Sequence, residues 1–181
     1  MKWTDDDNFM RGAVPMTKAE VRILTVAALE LVPGQRFLDI GAGTGSISVA
    51  AAGSGCTVDA CECHPEALGL IVENAKAFDV SIDILAGKAP DVLSETAYDR
   101  IFIGGSKGRL DDILGYCHGH LTSGGIVCGN FVTPANAVRF REFLKARGYL
   151  WTFRYIAVSR EDRFGMLRAE NGVFMVKGQK P

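Results

Sequence analysis

No run of about 18 apolar residues, enough to cross a bilayer as a helix, occurs anywhere in the chain. The opening stretch, MKWTDDDNFMRG, has no apolar signal core either. The expectation is a cytoplasmic protein with no membrane partner. Charge of one sign is not in excess: 20 Lys and Arg stand against 21 Asp and Glu, leaving a net charge of −1. A nucleic-acid-binding domain is usually strongly basic, so nucleic acid is not the expected partner. Histidine is scarce, with three in 181 residues, and none stands where a general base can be argued. The five cysteines are odd in number and irregularly spaced, which argues for reduced thiols rather than a disulfide framework. Internal repeats, low-complexity tracts and linkers are also missing. One domain over 1–181 is expected, entered by a polar N-terminal arm over 1–16.

Two short clusters raise the question of a metal. Cys61, Cys63 and His64 crowd into four positions, and Cys117, His118 and His120 into another four. Tetrahedral zinc needs four ligands converging on one point. The first cluster falls at a strand end and the second near a helix end in the other half of the chain, so they are not expected to meet. The expected metal count is none, with the cysteines read as small buried apolar residues.

Strand and helix patterns alternate. VPMTKAEVRILTVAALELVPG reads as a helix with a capping box at Thr17 and Glu20, an apolar face of Val21, Leu24, Ala28 and Leu31, and a stop at Pro33-Gly34. Short apolar strands follow at 36–40, 56–62, 81–87, 98–104 and 125–131. Helical stretches occupy GSISVAAAG, residues 65–79 behind Pro65, and about 108–121 and 134–147. Two final strands, LWTFRYIAVS and GVFMVKG, need no helix between them. Five β-then-α units with a closing hairpin predict an α/β fold. Such open sheets bind ligands at the carboxyl ends of their strands.

The loop LDIGAGTGS follows a strand and opens a helix. Glycines there let the backbone turn tightly and approach a ligand without a Cβ in the way. Gly41, Gly43 and Gly45 do not match the dinucleotide fingerprint, whose third glycine would fall at Ser46, and no Gly-Lys-Ser/Thr follows to make a phosphate loop. An acid about 20 residues on, at the next strand's end, would accept the hydroxyls of a ribose. Glu62 stands there, between the two cysteines.

Asp39 followed by Gly41-Ala42-Gly43-Thr44-Gly45 resembles the first motif of the class I S-adenosylmethionine methyltransferases. Across VPMTKAEVR (14–22), DIGAGTGSIS (39–48), ECHPEAL (62–68), GKAPDVL (87–93), DRIFIGGSKG (99–108) and LTSGGIV (121–127), the chain resembles one family. This is the decarboxylating precorrin or cobalt-precorrin carbon-15 methyltransferases of cobalamin biosynthesis. The resemblance implies a Rossmann-like, mostly parallel seven-stranded sheet with helices on both faces and a C-terminal antiparallel hairpin. It implies S-adenosylmethionine as cofactor, a tetrapyrrole as substrate and a homotetramer, with the tail strands LWTFRYIAV as a contact. By the same resemblance Thr17 contacts the cofactor, Gly41 through Gly45 wrap its methionine end, Glu62 holds the ribose and Ala89 borders the adenine near Gly87. Asn171-Gly172-Val173 departs from the family's usual Asn-Pro-Val, and CECH replaces the charged residues common around the ribose acid. Some family members are fused behind a carbon-5 methyltransferase, for which this chain is too short unless it is a fragment.

The loop IFIGGSKGRL lacks the Asn-Pro-Pro-Tyr-like clamp of enzymes that methylate bases; Gly104, Gly105 and Ser106 offer an open floor instead. A substrate with many carboxylates calls for cations, and Lys18, Arg22 and Lys107 are expected at the mouth, with Arg109, Arg160 and Arg163 as further candidates. No catalytic residue can be named, because an electron-rich carbon attacking a sulfonium needs positioning more than a base. Two alternatives stay open: a class I methyltransferase acting on RNA, protein or another small molecule, and a non-catalytic subunit that binds S-adenosylmethionine.

Overall fold

Residues 4–181 are described by the computed structural model; positions 1–3 of the expected N-terminal arm lie outside the described residues. Helix α1 (Ala19–Leu29) precedes the alternation β1 (Arg36–Ile40), α2 (Ser46–Gly53), β2 (Thr57–Glu62), α3 (Pro65–Ala77), β3 (Asp83–Ala86) and β4 (Tyr98–Ile103). Helix α4 (Leu110–His120), β5 (Leu121–Phe131) and α5 (Pro134–Ala146) complete it. The tail holds β6 (Leu150–Ile156), β7 (Ser159–Glu161), β8 (Leu167–Ala169) and β9 (Val173–Gln179).

Seven strands form one sheet in the order β3-β2-β1-β4-β5-β9-β6. The first five run parallel, and β9 joins β5 and β6 antiparallel. The chain leaves β1 toward β2 and β3, then returns to place β4 on β1's other side. The connections that follow β1 and β4 therefore run to opposite sides of the sheet, and ligands bind at such a switch point. Strand β1 is apolar on both faces because both are covered. Phe37 joins the core under α1 and α2, while Leu38 and Ile40 join the core under α4 and α5.

Four expectations need correction. No helix follows β3: residues 87–97 turn at Gly87 and Pro90, and Leu93 N–H closes a turn on the Pro90 carbonyl. There are thus four β-then-α units, not five. The second correction concerns α1, which stops at Leu29, with Glu30 in the left-handed region at φ 52°. Its buried stripe is Val21, Arg22, Thr25, Val26 and Leu29, whereas Leu24 is exposed. The capping box does not form. Lys18 is the N-cap residue and caps through no side-chain bond. Glu20 instead takes two hydrogen bonds from Arg160, since a full cation attracts a carboxylate more strongly than a backbone N–H does. Third, the tail carries an additional ribbon, β7 with β8, between its two expected strands.

The fourth correction is the N-terminal arm, which is packed rather than extended. Asp6–Asn8 form a 3-10 turn, Phe9 stacks on Phe78 at 4.6 Å, and the Asn74 side chain holds both N–H and carbonyl of Met10. Arg22 is the anchor. Its buried guanidinium pairs with Asp6 at 3.3 Å, donates to the carbonyls of Thr4 and Thr17, and lies over the Phe9 ring.

Breaking a buried pair leaves an uncompensated charge, so Asp6→Ala is expected to lower unfolding free energy by about 3–5 kcal/mol. Arg22→Met, which keeps the stem and removes the charge, should cost less when placed in an Asp6→Ala background than alone. Urea unfolding of the four species checks both statements.

Candidate active site

The carboxyl end of β1 is closed by loops on both sides. Gly41 and Ala42 donate their N–H groups to the Cys61 carbonyl at 2.9 and 3.1 Å. From the other side Gly104 and Gly105 donate to the Ile40 carbonyl at 2.8 and 3.3 Å. Gly41 adopts φ +73°, and a Cβ there would sit 2.7 Å from Gly105 N. A Cβ at Gly104 would lie 2.9 Å from the Gly41 carbonyl oxygen. Two glycine loops thus meet backbone to backbone, which only residues without side chains permit.

Glu62 ends β2 beside this contact. One carboxylate oxygen accepts Gly43 N–H at 2.9 Å; the other accepts the N–H groups of Cys63 and His64 at 2.7 and 2.8 Å. Burial by itself would raise the Glu62 carboxyl, but the His64, Gly43 and Cys63 donors more than offset it and hold its pKa below the ordinary range. A carboxylate offers about four lone-pair directions and three are taken, so Glu62 keeps one for a hydroxyl donor.

Two clefts open around the glycine contact. One, of about 430 Å³, runs over Glu62, Cys63 and His64 to Gly87 and Ala89 and across to Gly105, Ser106 and Lys107. Another, of about 520 Å³, lies over Thr17, Lys18 and the 41–44 loop, with apolar walls from Ile47, Phe102, Val132, Ile156, Val158 and Val173. Pro15, Gly41, Gly43 and Gly104 line both, so the clefts meet there. Both volumes are of ligand-binding size. Beneath the loop, Thr44 Oγ1 and one Asp39 oxygen are buried without a hydrogen-bond partner. Asp39's other oxygen accepts from the Ser48 hydroxyl at 2.6 Å. Burial pushes the Asp39 carboxyl up to about 7, with Ser48 opposing and Glu62 adding to the rise.

A family model described as a precorrin methyltransferase domain matches residues 7–176. The chain belongs to this family. A Salmonella typhimurium protein named cobalt-precorrin-6B C(15)-methyltransferase (decarboxylating) is 42% identical over 135 residues, covering 72% of this chain and 70% of that one. A crystal structure of precorrin-6y C5,15-methyltransferase from Geobacter metallireducens matches with a TM-score of 0.92 at 32% identity, covering 98% of this chain and 97% of that one. That of precorrin 8w decarboxylase from Methanobacterium thermoautotrophicum matches with a TM-score of 0.89 at 27% identity, covering 97% and 98%. The mostly parallel seven-stranded sheet and antiparallel tail expected from the resemblance are those this chain adopts.

Most residues expected at the site come together. Thr17, Lys18, Ala42 and Thr44 line the larger cleft, Glu62, Ala89, Gly105, Ser106 and Lys107 the smaller, and Gly41 and Gly43 both. Arg22 is a correction: it lines neither cleft, because its donors are committed to Asp6 and the N-terminal segment. Gly45 also lines neither; it starts α2 at φ +77°, packed against Ile71. Arg160 is held by Glu20 and Glu170, while Arg109 lines the smaller cleft but is clasped by Asp91 and Asp112. Lys107 is exposed, with φ 46° placing it just beyond the glycine floor.

The cysteine and histidine clusters go elsewhere. Cys61 Sγ approaches the Gly87 carbonyl, Cys117 is buried in the core, and His118 meets the Tyr149 hydroxyl. Among the described residues no three metal-ligating side chains gather. Two lining residues carried no sequence signal: Asn130, near the end of β5, and Glu170, which reaches the larger cleft because the tail folds back beside β5. The Tyr155 ring explains Gly172: a Cβ there would fall 2.0 Å from the phenol oxygen.

The folded chain holds the Asp39 proton up to about pH 7, whereas the unfolded chain releases it near the ordinary 3.8. Stability therefore falls as pH rises between those limits. Glu62, with its depressed pKa, acts oppositely but only below 4.5, so above that pH the Asp39 contribution stands without it. Asp39→Asn is expected to gain stability relative to the parent on going from about pH 4.5 to about pH 8. Urea unfolding at both pH values measures it, and an unchanged difference would sink the assignment.

Proposed function

We propose that this chain is an S-adenosylmethionine-dependent enzyme that methylates carbon 15 of a precorrin-6B-type tetrapyrrole and removes carbon dioxide from the neighbouring acetate. The observation that carries the reading is the junction of two clefts at Gly41, Gly43 and Gly104, beside Glu62, in a chain of the precorrin methyltransferase family.

The residues fit the cofactor. Glu62 has one lone-pair direction free for a ribose hydroxyl, and Gly87 and Ala89 leave room for a flat adenine. Thr17, Ala42 and Thr44 take the methionine end across the junction, with Gly41 and Gly43 allowing close backbone approach. When bound, S-adenosylmethionine supplies an electrophilic methyl group on a sulfonium. The larger cleft then receives the reacting edge of the macrocycle. Its apolar walls exclude water there.

A ring carbon needs no strong base to attack the methyl group in line. The protein's work is orientation, worth up to ~7–11 kcal/mol in well-aligned systems. As the acetate's carbon–carbon bond breaks, its electron pair passes into the conjugated macrocycle, carbon dioxide leaves, and the remaining methylene takes up a proton to become a methyl group. Lys18 at the larger cleft and Lys107 at the smaller are placed to meet the outer carboxylates. Gly105 and Ser106 form the floor between them and the cofactor.

The same reading treats residues 1–181 as one domain acting in the cytoplasm as a homotetramer. Support comes from five free thiols, which suit a reducing compartment, and from edge strand β6, which exposes Leu150, Trp151 and Tyr155. No helix of the described residues is long and apolar enough to cross a membrane. Light scattering on the purified protein gives the assembly; a monomer at micromolar concentration would remove the tetramer.

Mass spectrometry of a precorrin-6B-type substrate after incubation with S-adenosylmethionine should register gain of one methyl and loss of one carbon dioxide. No mass change despite cofactor binding would send the substrate search elsewhere. Glu62→Ala should weaken S-adenosylmethionine binding by about 1–3 kcal/mol, the scale of a lost charged acceptor. Calorimetry giving parental affinity would take Glu62 out of the ribose role.

A further inference from the structure

Asn130, next to last in β5, lies at the larger cleft although nothing in the sequence marks it. Its neighbour Gly129 is in register with Ile103 at the end of β4, so Asn130 stands beside Gly104, where the two clefts meet. The orientation of its amide is fixed by chemistry. Thr25 of α1 is fully buried, and its hydroxyl donates to the Val21 carbonyl one turn back at 2.7 Å. With that hydrogen committed, Thr25 Oγ1 can only accept, and Asn130 Nδ2 donates to it at 2.8 Å. The amide therefore cannot flip, and Asn130 Oδ1 is left as a fixed acceptor, buried and without a partner among the described residues.

Such an oxygen needs a donor, and the reaction components offer few. Substrate side chains are carboxylates, which only accept when ionised, and the ring nitrogens face the macrocycle's centre. On the cofactor, the ribose hydroxyls and adenine amine belong to the smaller cleft, over Glu62 and Ala89. The remaining donor is the α-ammonium of the methionine end, whose charge also strengthens the bond. Thr44 Oγ1, buried and equally unpartnered in the same cleft, is a donor suited to the α-carboxylate.

We propose that Asn130 Oδ1, held in place by Thr25, receives the α-ammonium of S-adenosylmethionine and thereby sets the position of the sulfonium methyl at the junction of the clefts. The proposal rests on the cofactor reading given above. It makes Asn130 a cofactor-binding residue from outside the glycine motif and Thr25 a positioning residue acting through it.

Calorimetry with S-adenosylhomocysteine and its desamino analogue, which lacks only the α-amine, separates this contact from general damage. The parent should bind the amine-bearing ligand at least about tenfold more tightly. Asn130→Ala should lose about that factor for S-adenosylhomocysteine and bind the two ligands alike. Thr25→Val keeps the side-chain shape but frees the amide, and should lower the preference to an intermediate value. An Asn130→Ala protein that keeps the parental preference, or that loses both ligands equally, would overturn the proposal. A parent that binds S-adenosylhomocysteine but ignores the amine would overturn it too while leaving the cofactor reading intact; a parent that binds neither ligand would bring down both.

Discussion

The carboxyl end of β1 is the point on which the site depends. Its last carbonyl takes two N–H groups from the loop after β4, and the loop after β1 donates two N–H groups to the end of β2. Three adjacent parallel strands are thereby tied together above the sheet, where a regular ladder would already have ended. Backbone polar groups at a strand end must find partners or stay wet. Here they partner each other, at separations that exclude a Cβ at Gly41 or Gly104. The crevice expected at a switch point becomes two clefts because this contact stands between them.

Glu62 serves the same arrangement from the side. Its carboxylate gathers three backbone donors, one from the glycine loop and two from the turn into α3. The loop is thus preorganised by the side chain proposed to hold the ribose, and on that proposal cofactor recognition is coupled to loop order. Opposite it, α1 is held by Arg22, which ties the N-terminal segment to the helix whose Thr25 orients Asn130. A cation expected to meet substrate acts as the fastener of the cleft wall.

Much of this was legible in the sequence. Apolar runs of four to seven residues bounded by Gly, Pro and Asp fix strands by local chemistry. Pro65 and Gly148 mark element boundaries through backbone geometry alone. The glycine loop and Glu62 were readable because their spacing follows from a strand–loop–helix–strand unit of set length. The missing helix after β3 was not readable: Gly87 and Pro90 break the chain, yet only packing of Ala89, Leu93 and Tyr116 against the core makes a covering helix unnecessary there.

Side-chain destinations were the larger surprise. A capping box, an arginine facing the substrate and a polar arm were the local readings, and each lost to a distant partner: Glu20 to Arg160, Arg22 to Asp6, and Met10 to Asn74. The sequence by itself determined the order of elements, the parallel core and the cofactor-side motif, because these follow from short-range periodicity and backbone stereochemistry. Tertiary structure decided which cations face the clefts, which acid holds the glycine loop in place and that Asn130 presents a fixed acceptor. Those outcomes depend on pairings across as many as 140 residues of chain, as between Arg160 and Glu20. Charge and hydrogen-bond capacity are local properties, but their satisfaction is settled only when the sheet brings the partners together.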